Sequence, residues 1–304
     1  MHGVSAFLVR EEAAETVRRP PRRRPGLRAG ATEGELSRYY SEFRRSGSPA
    51  WSFALRRPRA TLLALVATIR LPSRTAPLSG SAGGLALHRA LSRPVLVGAP
   101  VGPTGVSVLC VPPEPEDYVA GRRKQTLRRR VRAAEKRGIT WRPIHPDERR
   151  AFLLLAQQAE RAHPDPKYRI DCPSNEDLLD HDLWLAAFSA HGDPLLLSVT
   201  PTDGQWALLR YFRTLGRGPE HSDSRYLMCT ALVTALSERG VRFLVDEWHP
   251  GEIPEGLRQF QRMVGFRIMR VVPRWCGSRP PSTEPSRRGP ARRFRLGRFH
   301  GRRR

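Results

Sequence analysis

The stretch of sequence that decides the fold is RGVRFLVDEWHPGEIPEGLRQFQRMVGFRIMRVV, residues 239–272. Its apolar run predicts a strand over 241–246, buried on both faces. A polar turn leads into a short helix over 256–264, where apolar residues recur at helical spacing and a glycine follows the last turn. A second strand follows over 266–272. The pattern therefore predicts a strand–helix–strand unit that closes a sheet.

The sequence before this closing unit shows further strand and helix patterns. The predicted elements are, in order, a strand over 139–144, helices over 147–162 and 175–191, a hairpin of 195–200 with 206–212, and a helix over 224–239. Together with the closing unit, this order predicts an α/β (α+β) fold in which helices flank a central sheet.

Three residues of the closing unit carry a family resemblance. Phe260, Gly265 and Phe266 resemble the end of the GNAT acyltransferase fold, whose last helix typically runs into an aromatic residue, a few more residues and a Gly-Phe pair. The order of the predicted elements over 139–272 is also similar to the GNAT order. The resemblance implies a GNAT-like mixed sheet and the transfer of an acyl group to an amine.

A dense basic helix is predicted over 122–137, stopped by Gly138. Nine of its residues are basic and only Glu135 is acidic. The segment 128–139, in which Ala134, Glu135, Lys136 and Gly138 lead into a strand, resembles the element before the second GNAT-like half of the FemAB family, whose members resemble tandem GNAT folds. That resemblance implies transfer of an amino acid from aminoacyl-tRNA to a cell-wall precursor.

Two interpretations of this basic helix remain open. In the first, it is an amphipathic helix whose arginines face water, as most charged runs do. In the second, it cradles the phosphates of CoA or tRNA, because guanidinium groups bind phosphate oxygens in pairs. The candidate phosphate ligands are Arg128 and Arg132.

Arginine dominates the charge of the chain. Lys and Arg total 53 against 29 Asp and Glu, which gives a net charge of +24, and only three of the basic residues are lysines. Such a surface attracts polyanions such as RNA, with an affinity that falls as salt rises. The four cysteines form no CxxC pair, and no signal peptide or transmembrane segment is evident, so we expect a cytoplasmic protein without a metal site.

These patterns predict four regions. Residues 18–34 combine Pro and Arg with small residues, and 273–304 form an Arg-rich tail without apolar periodicity. Both termini, 1–34 and 273–304, are therefore expected to be disordered. Between them we expect a partial or degenerate N-terminal α/β region over 35–120 and a GNAT-like acyltransferase domain over 121–272.

A glycine-rich loop follows the second strand of the hairpin. Arg213, Gly216 and Gly218 have the spacing RxxGxG, and glycines let the backbone approach a phosphate where a helix N-terminus adds positive potential. By the GNAT resemblance, these residues would bind the pyrophosphate of the donor. Glu220 and Asp223 follow and would repel that group, so a plain loop with two turn glycines remains the alternative.

Four residues are candidates for the chemistry. Asp246, Glu247 and His249 cluster where a strand ends, and a carboxylate or imidazole there would accept the proton of an amine. Tyr226 is the candidate proton donor to the leaving group, with Tyr211 of the preceding strand as the alternative, because Phe260 is followed by Gln and not by the tyrosine of many GNAT enzymes. The alternatives are a turn whose polar side chains cap the backbone, and a tyrosine that only packs.

The sequence therefore predicts an N-acyltransferase of GNAT or FemAB-like type. It would transfer an acyl or aminoacyl group from acyl-CoA or aminoacyl-tRNA, used as a co-substrate and not as a tightly bound cofactor, to an amine-bearing acceptor. The alternative is a non-catalytic basic protein that binds nucleic acid or ribosomes on a GNAT-like scaffold, with RNA or another polyanion held by the arginine-rich helix and tail.

Overall fold

The computed structural model of the protein describes residues 26–95, 99–166 and 169–276. The helices are α1 (Gly26–Ser46), α2 (Ala50–Arg56), α3 (Pro58–Arg70), α4 (Ala82–Ser92), α5 (Val101–Thr104), α6 (Glu116–Val119), α7 (Gln125–Lys136), α8 (Arg149–Arg161), α9 (Pro219–Glu238) and α10 (Glu255–Val264). The strands are β1 (Ser73–Leu78), β2 (Pro94–Val95), β3 (Ala99–Pro100), β4 (Val106–Cys110), β5 (Thr140–Pro143), β6 (Trp184–Phe188), β7 (Pro194–Val199), β8 (Thr202–Asp203), β9 (Trp206–Leu209), β10 (Tyr211–Thr214), β11 (Phe243–Asp246) and β12 (Arg267–Trp275).

Most of the strands lie in two sheets. One sheet has the order β1-β12-β4-β11-β9-β8, and the other has the order β10-β7-β6-β5. The first is mixed, because β1 with β12 and β9 with β11 are parallel, while β4 is antiparallel to both of its neighbours. Helix α4 packs on β9 and β12, and α9 packs on β6 and β7. The predicted fold class, a mixed central sheet flanked by helices, is confirmed.

The two sheets part at Arg210, between β9 and β10. Strand β9 pairs in parallel with β11 up to Leu209, which lies opposite Asp246. The next strand, β10, pairs instead with β7. The backbone N–H of Arg210 donates to the carbonyl of Leu208, 2.8 Å away, and this bend directs the chain from one sheet into the other. A splayed opening therefore begins where Leu209 and Asp246 end their pairing.

The hairpin predicted for 195–200 and 206–212 is only partly right. Strand β10 does pair with β7, but β9 pairs with β8 on one side and with β11 on the other. The run 206–212 has the pattern of one continuous strand, because Arg210 alone interrupts its apolar residues. The bend at that residue moves the first half of the predicted strand into the other sheet.

Strand β4 lies in the middle of the six-stranded sheet, between β11 and β12. Its residues Val106 and Val108 are fully buried. Together with β1, which pairs with β12, it brings N-terminal residues into the same sheet as the closing unit. The expected boundary between 120 and 121 therefore does not separate two sheets.

The helix predicted over 175–191 is wrong. A short 3-10 helix spans Glu176–Asp180, and β6 follows it. In β6, Leu185 belongs to the core around α9, while its neighbour Trp184 belongs to the core around α8. A strand between two cores is apolar on both faces, and periodicity does not distinguish such a run from a buried helix.

Helices α1 and α9 both include residues for which the sequence predicts no helix. Helix α1 begins at Gly26, inside the 1–34 segment expected to be disordered, and packs on α3. Helix α9 begins at Pro219 and not at 224, because Gly218 is its N-cap residue and proline suits the first helical position, where its missing N–H is not needed. The rest of the N-terminal segment, 1–25, and residues 277–304 of the expected tail lie outside the described residues.

The largest core lies beneath α7, α9 and α10 and touches both sheets. Helix α9 is buried over most of its length, because it packs on β6, β7 and α7. Leu127 of α7 and Phe260 of α10 join the same core. Leu209 and Phe212, on either side of the bend, pack against it. Three helices thus meet beside the opening between the sheets.

Gly83 in α4 lets this helix touch the backbone of β8. A Cβ atom at position 83 would overlap the carbonyl group of Thr202. We expect Gly83→Ala to destabilise the protein by about 3 kcal/mol, because the helix and the strand must move apart. Urea unfolding measures this loss. The matched control is Gly34→Ala in α1, where a Cβ atom meets nothing within 4 Å, and equal losses in the two variants would contradict the expectation.

Candidate functional site

A cavity of about 400 Å³ lies between α7, α9 and α10. Its walls are formed by Thr126, Arg129 and Arg130 of α7, by Ser222, Arg225 and Tyr226 of α9, and by Gly256, Gln259, Phe260 and Met263 of α10. The α9 residues come from the first two turns of that helix. The cavity therefore lies at a helix N-terminus, where the backbone contributes a partial positive charge.

Two aromatic rings form the apolar side of the cavity. Tyr226 and Phe260 meet edge to face with their centroids 5.2 Å apart. Phe212 of β10 lies 6.4 Å from Phe260, so the aromatic contacts continue from the cavity to the strand that leaves the first sheet. Tyr226 is buried, and burial raises the pKa of its phenol above the usual value of 10. The hydroxyl group therefore stays protonated at neutral pH.

Positive charge also gathers at the cavity. Arg129 and Arg130 reach it from α7, and Arg225 reaches it from α9. The buried carboxylate of Asp223 is 3.2 Å from Arg130 and 3.2 Å from Arg137. The repulsion of phosphate expected from Asp223 is therefore offset by two guanidinium groups, and the cavity keeps a net positive charge.

The glycine-rich loop leads directly into α9. Gly218, the N-cap residue, has a φ of +121°, a conformation that other residues rarely adopt. A Cβ atom at Gly216 would overlap the ring of His221. Arg213 forms an ion pair 3.2 Å long with the buried Glu160 of α8. Of the three RxxGxG residues, the two glycines thus shape the start of the helix and Arg213 joins β10 to α8.

Asp246 is buried at the end of β11. Its carboxylate accepts hydrogen bonds from the backbone N–H of Trp248, 2.8 Å away, and from the side-chain amide of Gln261. The amide oxygen of Gln261 accepts a hydrogen bond from Ser107 of β4, 3.2 Å away. Burial raises the pKa of Asp246 to about 7, although both hydrogen bonds lower it. Through these hydrogen bonds, the carboxyl group of Asp246 links β11 to α10 and, by way of Gln261, to β4. Asp246 does not line the cavity.

Glu247 lies next to the bend at which the sheets part. Its carboxylate is 3.3 Å from the guanidinium of Arg210, which also pairs with Asp177 at 2.8 Å. The side chain of Arg210 is only 13% exposed, so the two carboxylates balance a nearly buried cation. With a side-chain exposure of 26%, Glu247 is more accessible than Asp246 or His249, which are both buried.

His249 packs against α1, away from the cavity. Its Nδ1 accepts a hydrogen bond from the backbone N–H of Gly251, 3.0 Å away, and its Nε2 is 3.4 Å from the hydroxyl of Tyr40. Since Nδ1 accepts, the proton of the neutral ring lies on Nε2 and is donated to Tyr40. Burial lowers the pKa of His249 to about 4, so the ring is neutral at pH 7. The structure thus separates His249 from Tyr226.

The basic helix predicted over 122–137 is present as α7, with one 3-10 turn before it. Arg128 donates to the backbone carbonyls of Val119 and Gly121, at 2.6 and 2.8 Å. Arg132 is exposed. Neither of these two candidate phosphate ligands lines the cavity.

Sequence reasoning missed the three arginines that do line the cavity. For Arg130 a signal exists, because Leu127 and Ala134 mark the buried side of α7 and Arg130 lies between them on the flank toward α9. Arg225 lies in the helix predicted over 224–239, but nothing in the local sequence distinguishes it from the other arginines of the chain.

Comparisons with known proteins bear on the fold alone. No protein-family model matches the sequence, and a search of curated proteins finds no match. The chain is similar to the solved structure of the C-terminal domain (DUF2156) of a putative lysylphosphatidylglycerol synthetase from Agrobacterium fabrum, with 13% identity and a TM-score of 0.40 over 55% of this chain and 58% of that one. It is also similar to L-PGS from Bacillus licheniformis, with 14% identity and a TM-score of 0.41 over 55% and 58%.

A third similar structure is FemX, with 12% identity and a TM-score of 0.41 over 56% of this chain and 60% of that one. The chain spans less than two thirds of the length of each of these three structures. At such identities and TM-scores, the likeness carries no information about the substrate or the mechanism of this chain.

A helix needs about 20 predominantly apolar residues to cross a lipid bilayer. Across residues 26–95, 99–166 and 169–276, no helix is both long enough and apolar enough to cross one.

Proposed function

We propose that this GNAT-like protein is an N-acyltransferase whose cavity binds the phosphate-bearing end of an activated acyl donor. The observation that supports this proposal is the meeting of Arg129, Arg130 and Arg225 at the N-terminus of α9, beside the opening between the sheets. Guanidinium groups and a helix N-terminus both favour phosphate. The donor classes that fit are acyl-CoA and aminoacyl-tRNA, because each joins an activated carbonyl to phosphate groups.

The chemistry of acyl transfer assigns roles to two further residues. The amine of the acceptor attacks the carbonyl carbon of the donor, the new C–N bond forms, and the bond to sulfur or to the ribose oxygen breaks. Tyr226, protonated and on the cavity wall, gives its proton to the departing thiolate or alkoxide. Glu247, the accessible carboxylate after β11, accepts the proton that the amine loses.

Isothermal titration calorimetry tests the donor site. Acetyl-CoA, longer acyl-CoAs and charged tRNA are titrated separately into the full chain, with AMP as a control for general phosphate binding. Saturable binding of one donor class, tighter than that of AMP, is the expected result. Failure of every donor to bind would remove the catalytic proposal.

The variant Tyr226→Phe tests the proton donor. We expect kcat to fall about 100-fold, because the leaving group then departs without a proton from the enzyme. Donor affinity is expected to change little, since the ring still packs on Phe260. Free thiol released from acyl-CoA, or deacylated tRNA, measures the rate in the presence of an amine. An unchanged kcat, or equal changes in kcat and donor affinity, would show that Tyr226 only packs.

Binding of RNA without catalysis is the second candidate function. The outward side of the basic segment favours it, because Arg122, Arg123 and Lys136 are exposed and do not line the cavity. Such arginine-rich surfaces bind phosphates without reading sequence. Equal affinity for charged and uncharged tRNA, lost steeply with salt and accompanied by no transfer to amines, would favour this function over acyl transfer.

A further inference from the structure

Helix α3 directs its large apolar side chains outward. The exposed ones, between 57 and 68% accessible, are Leu62, Leu63, Leu65 and Ile69. The buried side of the same helix carries Ala64 and Ala67, which pack with residues of α1. An amphipathic helix at the surface of a globular protein has the opposite arrangement, with its large apolar residues inward.

The adjoining helix α2 continues this feature. Trp51 is 65% exposed and Leu55 is 74% exposed, while Phe53 between them is buried. We call the six exposed side chains of α2 and α3 the α2–α3 apolar surface. Within the described parts of the chain, nothing covers it. Large exposed apolar surfaces on a folded protein commonly take part in interactions with other proteins or with membranes.

Arginines border the α2–α3 apolar surface. Arg56 and Arg59 lie at the junction of the two helices, and Arg70 ends α3. All three are exposed and, among the described residues, none pairs with a carboxylate. The sequence holds no Asp or Glu between Glu42 and Glu114 but nine arginines. This part of the chain therefore offers leucine side chains and uncompensated positive charge together.

We propose that the α2–α3 apolar surface docks onto an anionic phospholipid bilayer. The leucines enter the boundary between headgroups and acyl chains, Trp51 lies at that boundary, and the arginines meet lipid phosphates. Charge complementarity selects this occupant. A second copy of the chain would bring a like-charged arginine border to the contact, with a net charge of +24 on each molecule.

Flotation with lipid vesicles tests the docking surface. The full chain is mixed with vesicles of phosphatidylcholine alone or with phosphatidylglycerol added. The apolar variant is Leu62→Gln/Ile69→Gln, and its matched control is Leu154→Gln/Leu155→Gln, two exposed leucines of α8. We expect the wild type and the control to float with the anionic vesicles. The fraction of the apolar variant that floats is expected to be at least about fivefold smaller than that of the wild type.

A second pair of variants tests the arginine border. Arg59→Gln/Arg70→Gln is compared with Arg150→Gln/Arg161→Gln, which removes the same charge from exposed positions on α8. Only Arg59→Gln/Arg70→Gln is expected to weaken flotation with the anionic vesicles. The circular dichroism of all four variants should match that of the wild type, since every changed side chain is exposed.

Three results would overturn the proposal. A wild type that does not float with anionic vesicles excludes docking. If the apolar variant floats as well as the wild type, vesicle binding comes from the general attraction between a positively charged chain and anionic lipid, and not from the α2–α3 apolar surface. The third is a change in oligomeric state measured by sedimentation. If the wild type is a dimer and Leu62→Gln/Ile69→Gln is a monomer, the surface binds a second copy of the chain.

Discussion

The variant Arg129→Glu/Arg225→Glu is expected to bind the phosphate-bearing donor at least about 100-fold more weakly than the wild type. Each hydrogen bond from a guanidinium to an ionised oxygen contributes about 1.5 to 3 kcal/mol, so the loss of two accounts for this factor before any repulsion by the new carboxylates. Arg130 is left in place, because it also balances the buried carboxylate of Asp223. Calorimetry with acyl-CoA and with charged tRNA measures the change.

The matched control for charge is Lys136→Glu/Arg239→Glu. It makes the same change in net charge at exposed positions at the ends of the same two helices, outside the cavity. We expect it to weaken donor binding by less than about threefold, through the general field alone. Equal losses in the two variants would show that donors are held by overall charge and that the cavity is not their site.

The variant Asp246→Asn is expected to remove a strong dependence of stability on pH. The pKa of Asp246 is raised from its ordinary value of 3.8 to about 7 by burial. Because the folded state holds this proton more tightly than the unfolded chain does, the stabilisation is complete below about pH 4 and is lost as the pH rises to about 7. Across that window the loss is on the order of 4 kcal/mol.

Asparagine preserves the hydrogen bonds around position 246. Its oxygen accepts from the backbone of Trp248, its amide donates to Gln261, and the reversed amide of Gln261 donates to the hydroxyl of Ser107. Urea unfolding from about pH 4 to about pH 8 is expected to show the variant gaining stability over the wild type as the pH rises.

The difference between the two unfolding curves isolates Asp246. His249, whose pKa is lowered to about 4, acts in the opposite sense, since its stabilisation is lost as the pH falls, and it is the same in both proteins. Asp171→Asn, at an exposed position, serves as the control and should follow the wild type. Parallel curves for Asp246→Asn and the wild type would refute the assigned pKa.

The closing unit was predictable because its elements are short and each carries a local signal. Gly265 does end α10 in the left-handed conformation, and Phe260 does face the core. The strand at 184–188 was not predictable, because Trp184 and Leu185 pack into two different cores and leave no alternation along the chain. Arg210, at the bend, pairs with Asp177 and Glu247, which are 33 and 37 positions away, and such contacts are not visible in the local sequence.

The cavity was harder to predict than the fold. Its arginines come from α7 and α9, and only the packing of these helices selects them from the many arginines of the chain. The strand end after β11 was a reasonable candidate, yet Asp246 and His249 are enclosed there by β4 and α1. Burial of that kind depends on tertiary contacts between residues more than a hundred positions apart.

The place of β4 between β11 and β12 also bears on how the chain is made. The ribosome produces β4 before residues 111–242, and both of its hydrogen-bonding partners come after them. Until then, its valines have no sheet to join, and sheets built from such distant segments form slowly. During synthesis this chain thus exposes an unpaired, aggregation-prone strand, which is the kind of segment that chaperones bind.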